Sequence, residues 1–174
     1  LQSQLGKQAQ ITATLYVGDN YFHEHKEEAR EAVLCELRAR KPQLIIAGPA
    51  FNSGRYGLAC VEICSAIATD LGIPCVTAMH AENPAVEIYG ILRNFNVYLL
   101  STTETVAGMT EALKSLATFT LRVGSGAEIG PAEKEGYLNR GIRRLVPTDR
   151  TAVERAIDML LKKIQNQVFV TELP

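Results

Sequence analysis

No excess of charge marks this chain: 18 basic and 19 acidic residues leave a formal net charge of -1 over 174 residues. A protein so balanced has no global field to hold a polyanion or an anionic lipid surface, which argues against nucleic-acid and membrane partners. No apolar run approaches the roughly 20 residues that a membrane helix needs, and residues 1–10 lack the apolar centre of a signal peptide. A cytoplasmic, soluble protein is expected. Cysteine is scarce and is not punctuated by loops. Cys35, Cys60, Cys64 and Cys75 sit inside apolar segments, which excludes a small disulfide scaffold and favours reduced thiols.

Several chemical signatures are missing as well. There is no Gly-Lys-Ser/Thr phosphate loop and no Gly-x-Gly-x-x-Gly opening a helix, so nucleotide binding has little support. Cys60 and Cys64 are four apart, not the Cys-x-x-Cys of redox motifs, and with Ile63 and Ile67 beside them they read as buried small hydrophobes. His23 and His25 near Glu24 and Glu27 suit an exposed helical turn better than a metal site, and no acyl-transfer triad stands out. Neither an internal repeat nor a low-complexity tract is present. No catalytic residue and no metal ligand is assigned.

What is present is an alternation of short apolar runs and amphipathic segments. Residues 11–17 are β-rich and end at Gly18-Asp19-Asn20, which predicts a first strand. Residues 22–40 place Ala29, Ala32, Val33 and Leu37 at three- and four-residue spacing, the pattern of an amphipathic helix that Pro42 stops. Further strands are predicted at 44–47, 74–79 and 97–100, and helices at 58–71, 104–123 and 151–164. Gly72 would close the second helix, Ser101-Thr102-Thr103 would cap the third, and Thr148 or Asp149 the last. A mixed segment precedes residue 97, and an irregular one follows residue 124.

Four strands alternating with helices predict an α/β fold with a doubly wound, mostly parallel sheet, a flavodoxin- or Rossmann-like three-layer arrangement built from right-handed crossovers. One domain is expected, since a chain of this length buries about 70% of its unfolded surface. Residues 1–146 would form the α/β substrate-binding body, irregular from about 124, and residues 147–174 its terminal helix and tail. Residues 1–10 are too polar for the strand that opens such a unit, so an upstream strand is expected to be missing.

Ligands of open parallel sheets bind beyond the carboxyl ends of the strands. The loop Gly48-Pro49-Ala50-Phe51-Asn52-Ser53-Gly54-Arg55-Tyr56-Gly57 is the most informative of those that fall there. Its glycines allow close approach, Arg55 offers a forked cation for a carboxylate or phosphate, and Asn52 and Tyr56 add neutral hydrogen bonds. The alternative is that Gly48 and Pro49 merely turn the chain, Arg55 pairs with a nearby carboxylate and Phe51 plugs the core. In the next loop His80, Glu82 and Asn83 could supply an acid, a base and an orienting amide, or form a solvated turn. The one basic cluster, around Arg140, Arg143 and Arg144, is either a solvated surface or a partner-binding arm.

That ten-residue loop with Ala59-Cys60, then Glu82-Asn83-Pro84, Glu135-Gly136-Tyr137 and Arg140-Gly141-Ile142-Arg143, together with Gly18-Asp19-Asn20-Tyr21-Phe22, resembles protein B of the glycine/sarcosine/betaine reductases. The likeness is to the N-terminal part of its large, selenoprotein subunit. It implies a component of a complex that reductively cleaves the C–N bond of a small amino acid or betaine. It also implies an oligomeric assembly with a pyruvoyl-bearing subunit and selenoprotein A, the pyruvoyl group residing on that partner, while protein C makes acetyl phosphate and thioredoxin supplies electrons. The family's selenocysteine-x-x-cysteine motif has no counterpart in these residues, so that cofactor lies outside this segment. Ser53, where the family more often has alanine, and His80, where tyrosine is usual, depart from the pattern. On this reading the substrate-binding residues are Asn52, Ser53, Arg55, Tyr56, Glu82 and Asn83. The alternatives are a non-catalytic assembly module and a flavodoxin-like small-molecule binder.

Overall fold

The structure is a computed structural model that describes residues 1–141 and 149–168. Three parallel strands, β1 (Ile45–Phe51), β2 (Cys75–Met79) and β3 (Val97–Ser101), lie side by side in the order β1-β2-β3. Short apolar runs form the strands because both faces of the sheet are covered, and β2, the middle one, is buried at every residue. Helices α4 (Gly54–Leu71) and α5 (Ala85–Leu92) make the two crossovers and pack against each other over one face, with α3 (Lys26–Arg40) and α2 (Asp19–Glu24) docked on α4. The other face is covered by α6 (Met109–Gly124), on which α1 (Gln2–Leu5) packs. The α/β three-layer fold expected of the sequence is the fold observed.

Each layer has its own apolar core. On the α4 side Leu34, Cys60, Cys64, Ile67, Met79, Tyr89 and Leu99 form one continuous cluster. On the α6 side Val76, Ala78, Leu100, Leu116 and Phe119 form a second, bordered by Leu1, Leu44 and Ile46. Cys60, Cys64 and Cys75 are buried among these side chains while Cys35 is exposed. Burial pushes the Cys60 thiol up to about 12, with the neighbouring Cys64 thiol adding to the shift.

Several local expectations are corrected. Residues 11–17 form no strand, because a strand exists only by pairing and no backbone reaches them from β1. The long N-terminal helix is broken at His25 (φ -124°, ψ 45°) into α2 and α3. The mixed segment before β3 contains α5, whose sequence Ala-Val-Glu-Ile-Tyr-Gly-Ile-Leu has too little polar face to show helical periodicity. Ser101, Thr102 and Thr103 do not cap α6. The Thr102 and Thr103 hydroxyls donate to the carbonyls of Thr103 and Thr105, and a 3-10 turn (Val106–Gly108) intervenes before α6 begins. Gly72 closes α4 in the left-handed region (φ 67°), as expected.

Beyond α6, helix α7 (Ala132–Glu135) leads to a strand-like return along β3. Tyr137 bridges Leu100 in antiparallel fashion, and the Leu138 amide donates to the Leu99 carbonyl at 2.7 Å. Arg140 donates to the Val97 carbonyl from Nε and Nη2 (3.1 and 3.0 Å) and stacks on Tyr98 at 4.7 Å and Tyr137 at 5.0 Å. Arg140 is thus a seal on the edge strand and not part of a free arm, while Arg143, Arg144 and Thr148 lie outside the described residues. The last helix, α8 (Ala152–Ile164), is capped not by Asp149 but by a capping box in which Thr151 accepts from the Glu154 amide and Glu154 from the Thr151 amide. Its apolar residues Val153, Ile157, Leu160 and Ile164 are all exposed.

Candidate functional site

The carboxyl ends of the three strands are tied into one surface by backbone bonds. The His80 amide donates to the Phe51 carbonyl (2.9 Å), the Thr102 amide to the Met79 carbonyl (3.0 Å) and the Asn52 amide to the Glu104 carbonyl (3.2 Å). Between Ala47 and Phe51 the register of β1 against β2 slips: Ala47 pairs with Thr77 but Phe51 with Met79. Gly48-Pro49-Ala50 bulges out of the ladder through a cis Gly48–Pro49 bond and a left-handed Gly48 (φ 93°). Only glycine suits this position, since a Cβ would stand 3.0 Å from the Ala50 nitrogen. Phe51, left-handed at φ 49°, drops its ring into the interior.

Asn83 holds the loop that follows. It is 2% exposed, and its amide nitrogen donates to the carbonyls of Phe51 (3.0 Å) and Ser53 (3.1 Å) while its oxygen accepts from the Ala85 amide (3.0 Å). All four hydrogen-bonding positions of a carboxamide are two donors and two acceptors, so both donors are committed. Gly57 is glycine because of this clamp, since a Cβ there would lie 2.6 Å from the Asn83 oxygen. Gly54 faces Pro84 in the same way at 3.2 Å. The glycines of the loop therefore record where the third loop leans on the second.

The remaining residues are presented to solvent. Asn52, Ser53, Arg55 and Glu82 are exposed, and Ser53 opens α4 without capping it by its side chain. The first turn of this 18-residue helix holds no acidic side chain, so its amide-rich positive end is not neutralised from within. Arg55 stands in that turn. Its guanidinium donates to the Asn20 side-chain oxygen and meets no carboxylate among the described residues. Tyr56 keeps its hydroxyl turned toward the Cys60 thiol, and burial, then that neighbour, pushes the phenol up to about 12. The Glu82 amide donates to His80 Nδ1 at 3.3 Å, which shapes the third loop as a turn with its carboxylate outward.

The structure thus brings Asn52, Ser53, Arg55, Glu82 and Asn83 to one end of the sheet, with Tyr56 beside them, its ring at the surface and its hydroxyl toward Cys60. Asn20, which the sequence offered only within the Gly18-Asp19-Asn20-Tyr21 loop and not as a site residue of its own, joins the surface as the partner of Arg55. A groove of about 330 Å³ lies elsewhere, between α3 and α4, where Lys26 pairs with Glu62 (2.6 Å) and Arg30 with Asp70 (2.7 Å). His25 stacks on Tyr21 with centroids 4.5 Å apart, and among the described residues no three His, Cys, Asp or Glu side chains gather to hold a metal ion. No helix of the described residues is long and apolar enough to cross a membrane.

Comparison with known proteins gives a single direction. The profile of glycine/sarcosine/betaine reductase selenoprotein B matches residues 1–174. The glycine reductase complex component B subunit gamma of Peptoclostridium litorale is 43% identical over 174 residues, all of this chain and 39% of that protein. The sarcosine reductase complex component B subunit beta of Peptoclostridium acidaminophilum is 38% identical over 174 residues, again 39% of its length. The betaine reductase complex component B subunit beta of the same organism is 36% identical over 168 residues, covering 95% of this chain and 38% of that protein. The chain therefore spans well under half the length of the curated relatives it matches. No solved structure is similar.

Proposed function

The chain belongs to the glycine/sarcosine/betaine reductase selenoprotein B family, and from that premise we propose that it forms the substrate-docking part of such a reductase component. The substrate class is a small amino acid or betaine, held by its carboxylate at the carboxyl end of the sheet. The observation that carries this reading is Arg55: a guanidinium in the first turn of an unneutralised helix, beside the joined strand ends, with the neutral Asn20 as its partner among the described residues. A forked cation at a helix N-terminus is a carboxylate receptor by charge and by geometry. Asn52 and Ser53 flank it with neutral hydrogen-bonding groups, and Tyr56 would join them by rotating its hydroxyl outward. Glu82 faces the same side and suits an ammonium or quaternary ammonium, which a carboxylate attracts by charge alone. Asn83 serves by fixing the loop.

The pyruvoyl group would reside on a partner subunit and the selenocysteine outside the matched stretch, so this part binds and orients while others react. A complex with a pyruvoyl-bearing subunit and selenoprotein A is part of the same proposal, as is a cytoplasmic setting. Titration calorimetry of the full-length protein with glycine, sarcosine and betaine tests the assignment. Arg55→Ala is expected to weaken binding of the true substrate by about 10- to 100-fold, the value of one charge-assisted pair. Equal affinity in the variant and the parent would remove Arg55 from the site.

A further inference from the structure

The two edges of the sheet are finished differently. At β3 the strand-like residues Tyr137 and Leu138 pair with Leu100 and Leu99, and Arg140 takes up the Val97 carbonyl. At β1 the outward row of amides and carbonyls has no partner among the described residues, and Ile45, Ile46, Ala47, Gly48 and Pro49 stay partly exposed where all of β2 is buried. An open row in a strand this apolar is a template for another strand.

Residues 11–17 supply a second, independent observation. Ile-Thr-Ala-Thr-Leu-Tyr-Val has the composition of a strand, yet all seven residues are exposed, Tyr16 to 96%. The segment leaves α1, whose neighbour Leu1 joins Leu44 and Ile46 at the start of β1, and arrives at Asn20, which meets Arg55 just past the end of β1. Its two ends thus stand near the two ends of β1, in the same order along the chain, and it has the same seven-residue length. Both segments are strand-competent, and neither hydrogen-bonds the other.

We propose that in the full-length protein one further apolar strand lies between residues 11–17 and β1, parallel to both, and is supplied by a part of the same polypeptide outside these 174 residues. A single insertion would pair with the open row of β1 on one side and with the facing row of residues 11–17 on the other, where the two segments make no hydrogen bond to each other. The relatives have the chain to provide it, since the matched stretch is 38–39% of their length. A second copy is the poorer source: a two-fold edge-to-edge pairing is antiparallel, and parallel donation between copies does not close. The inserted strand would end beneath the Asn20–Arg55 hydrogen bond, so that its following loop reaches the site. That last consequence rests on the function proposed above; the strand itself does not.

Two measurements on the full-length protein decide it. In a Cys35→Ser background, Thr14→Cys combined with Ala47→Cys is expected to give no disulfide under mild oxidation but to be bridged by a bismaleimide of about 10 Å reach. Second-neighbour strands lie roughly 10 Å apart, whereas a disulfide needs Cα atoms within about 7 Å. Hydrogen exchange of the unsubstituted protein is expected to show the outward amides of β1 slowed at least about 100-fold below the free-chain rate. A disulfide in high yield would mean that residues 11–17 pair with β1 themselves and would overturn the insertion. So would failure of both linkages, free exchange along β1, or protection that rises with protein concentration, which marks a second copy.

Discussion

The loop from Gly48 to Gly57 contains two kinds of residue that alternate in sequence and separate in space. Gly48, Phe51, Gly54 and Gly57 face the protein, where they meet Thr77, the core, Pro84 and Asn83. Asn52, Ser53 and Arg55 face water and touch little except Asn20. The first set makes a rigid ledge and the second uses it. Precise presentation of a few polar groups requires that the backbone beneath them be over-determined, and here a buried carboxamide and two glycines do that. Tyr56 straddles the division, its ring at the surface and its hydroxyl toward Cys60.

If the division is real, damage to the ledge should cost stability and binding together, and damage to the presented set should cost binding alone. The largest effect is expected from Gly57→Ala, whose new methyl would overlap the Asn83 amide at 2.6 Å. About 3 kcal/mol should be lost in urea unfolding, the range of overpacking against a buried, immobile neighbour. Asn83→Ala comes next, at about 2 kcal/mol, because it leaves the Ala85 amide without its partner and takes one of two hydrogen bonds from each of the Phe51 and Ser53 carbonyls. Retained stability in either variant would show the clamp to be incidental. Arg55→Ala should by contrast leave the unfolding midpoint within about 0.5 kcal/mol of the parent while losing ligand. A large loss of stability there would merge the two sets.

Two smaller effects sharpen the boundary at Tyr56 and Cys60. Both groups have their pKa raised to about 12, Cys60 from 9.0 and Tyr56 from 10.0, chiefly by burial. The folded state then holds these protons after the unfolded chain has released its own. The stability they contribute is complete below about pH 9 and declines as pH climbs toward 12. Urea midpoints at pH 8 and pH 10.5 should therefore differ in favour of pH 8, and Cys60→Ala should flatten the difference. In the native protein a thiol reagent should modify Cys35 promptly and leave Cys60, Cys64 and Cys75 until the chain unfolds. Prompt reaction of a second thiol would place Cys60 on the open side of the boundary.

The sequence made much of this legible, in a particular way. The runs at 44–47, 74–79 and 97–100 announced buried strands because each is apolar without alternation and ends at a turn, and β1, β2 and β3 stand there. The loop with Arg55 was legible because a parallel sheet sends its ligand loops to one end. The role of Asn83 was not. Nothing in Glu-Asn-Pro says whether an asparagine faces solvent or spans two neighbouring carbonyls 30 and 32 residues away. Helix α5 escaped notice because its exposed side carries Ile91 and Leu92 beside the single charge of Glu87, so it lacks the polar stripe from which periodicity is read.

Composition and periodicity by themselves determined the fold class and the covered faces of the sheet, since these follow from patterns local to each segment. Tertiary structure decided what depends on a neighbour. It turned residues 11–17 from a strand into an unpaired segment, Arg140 from a surface cation into the seal of β3, and Asn83 from a ligand contact into a clamp. The physical reason is the same in all three. A hydrogen-bonding group acquires its role from the partner it finds, and that partner is fixed only when distant segments of the chain are brought together.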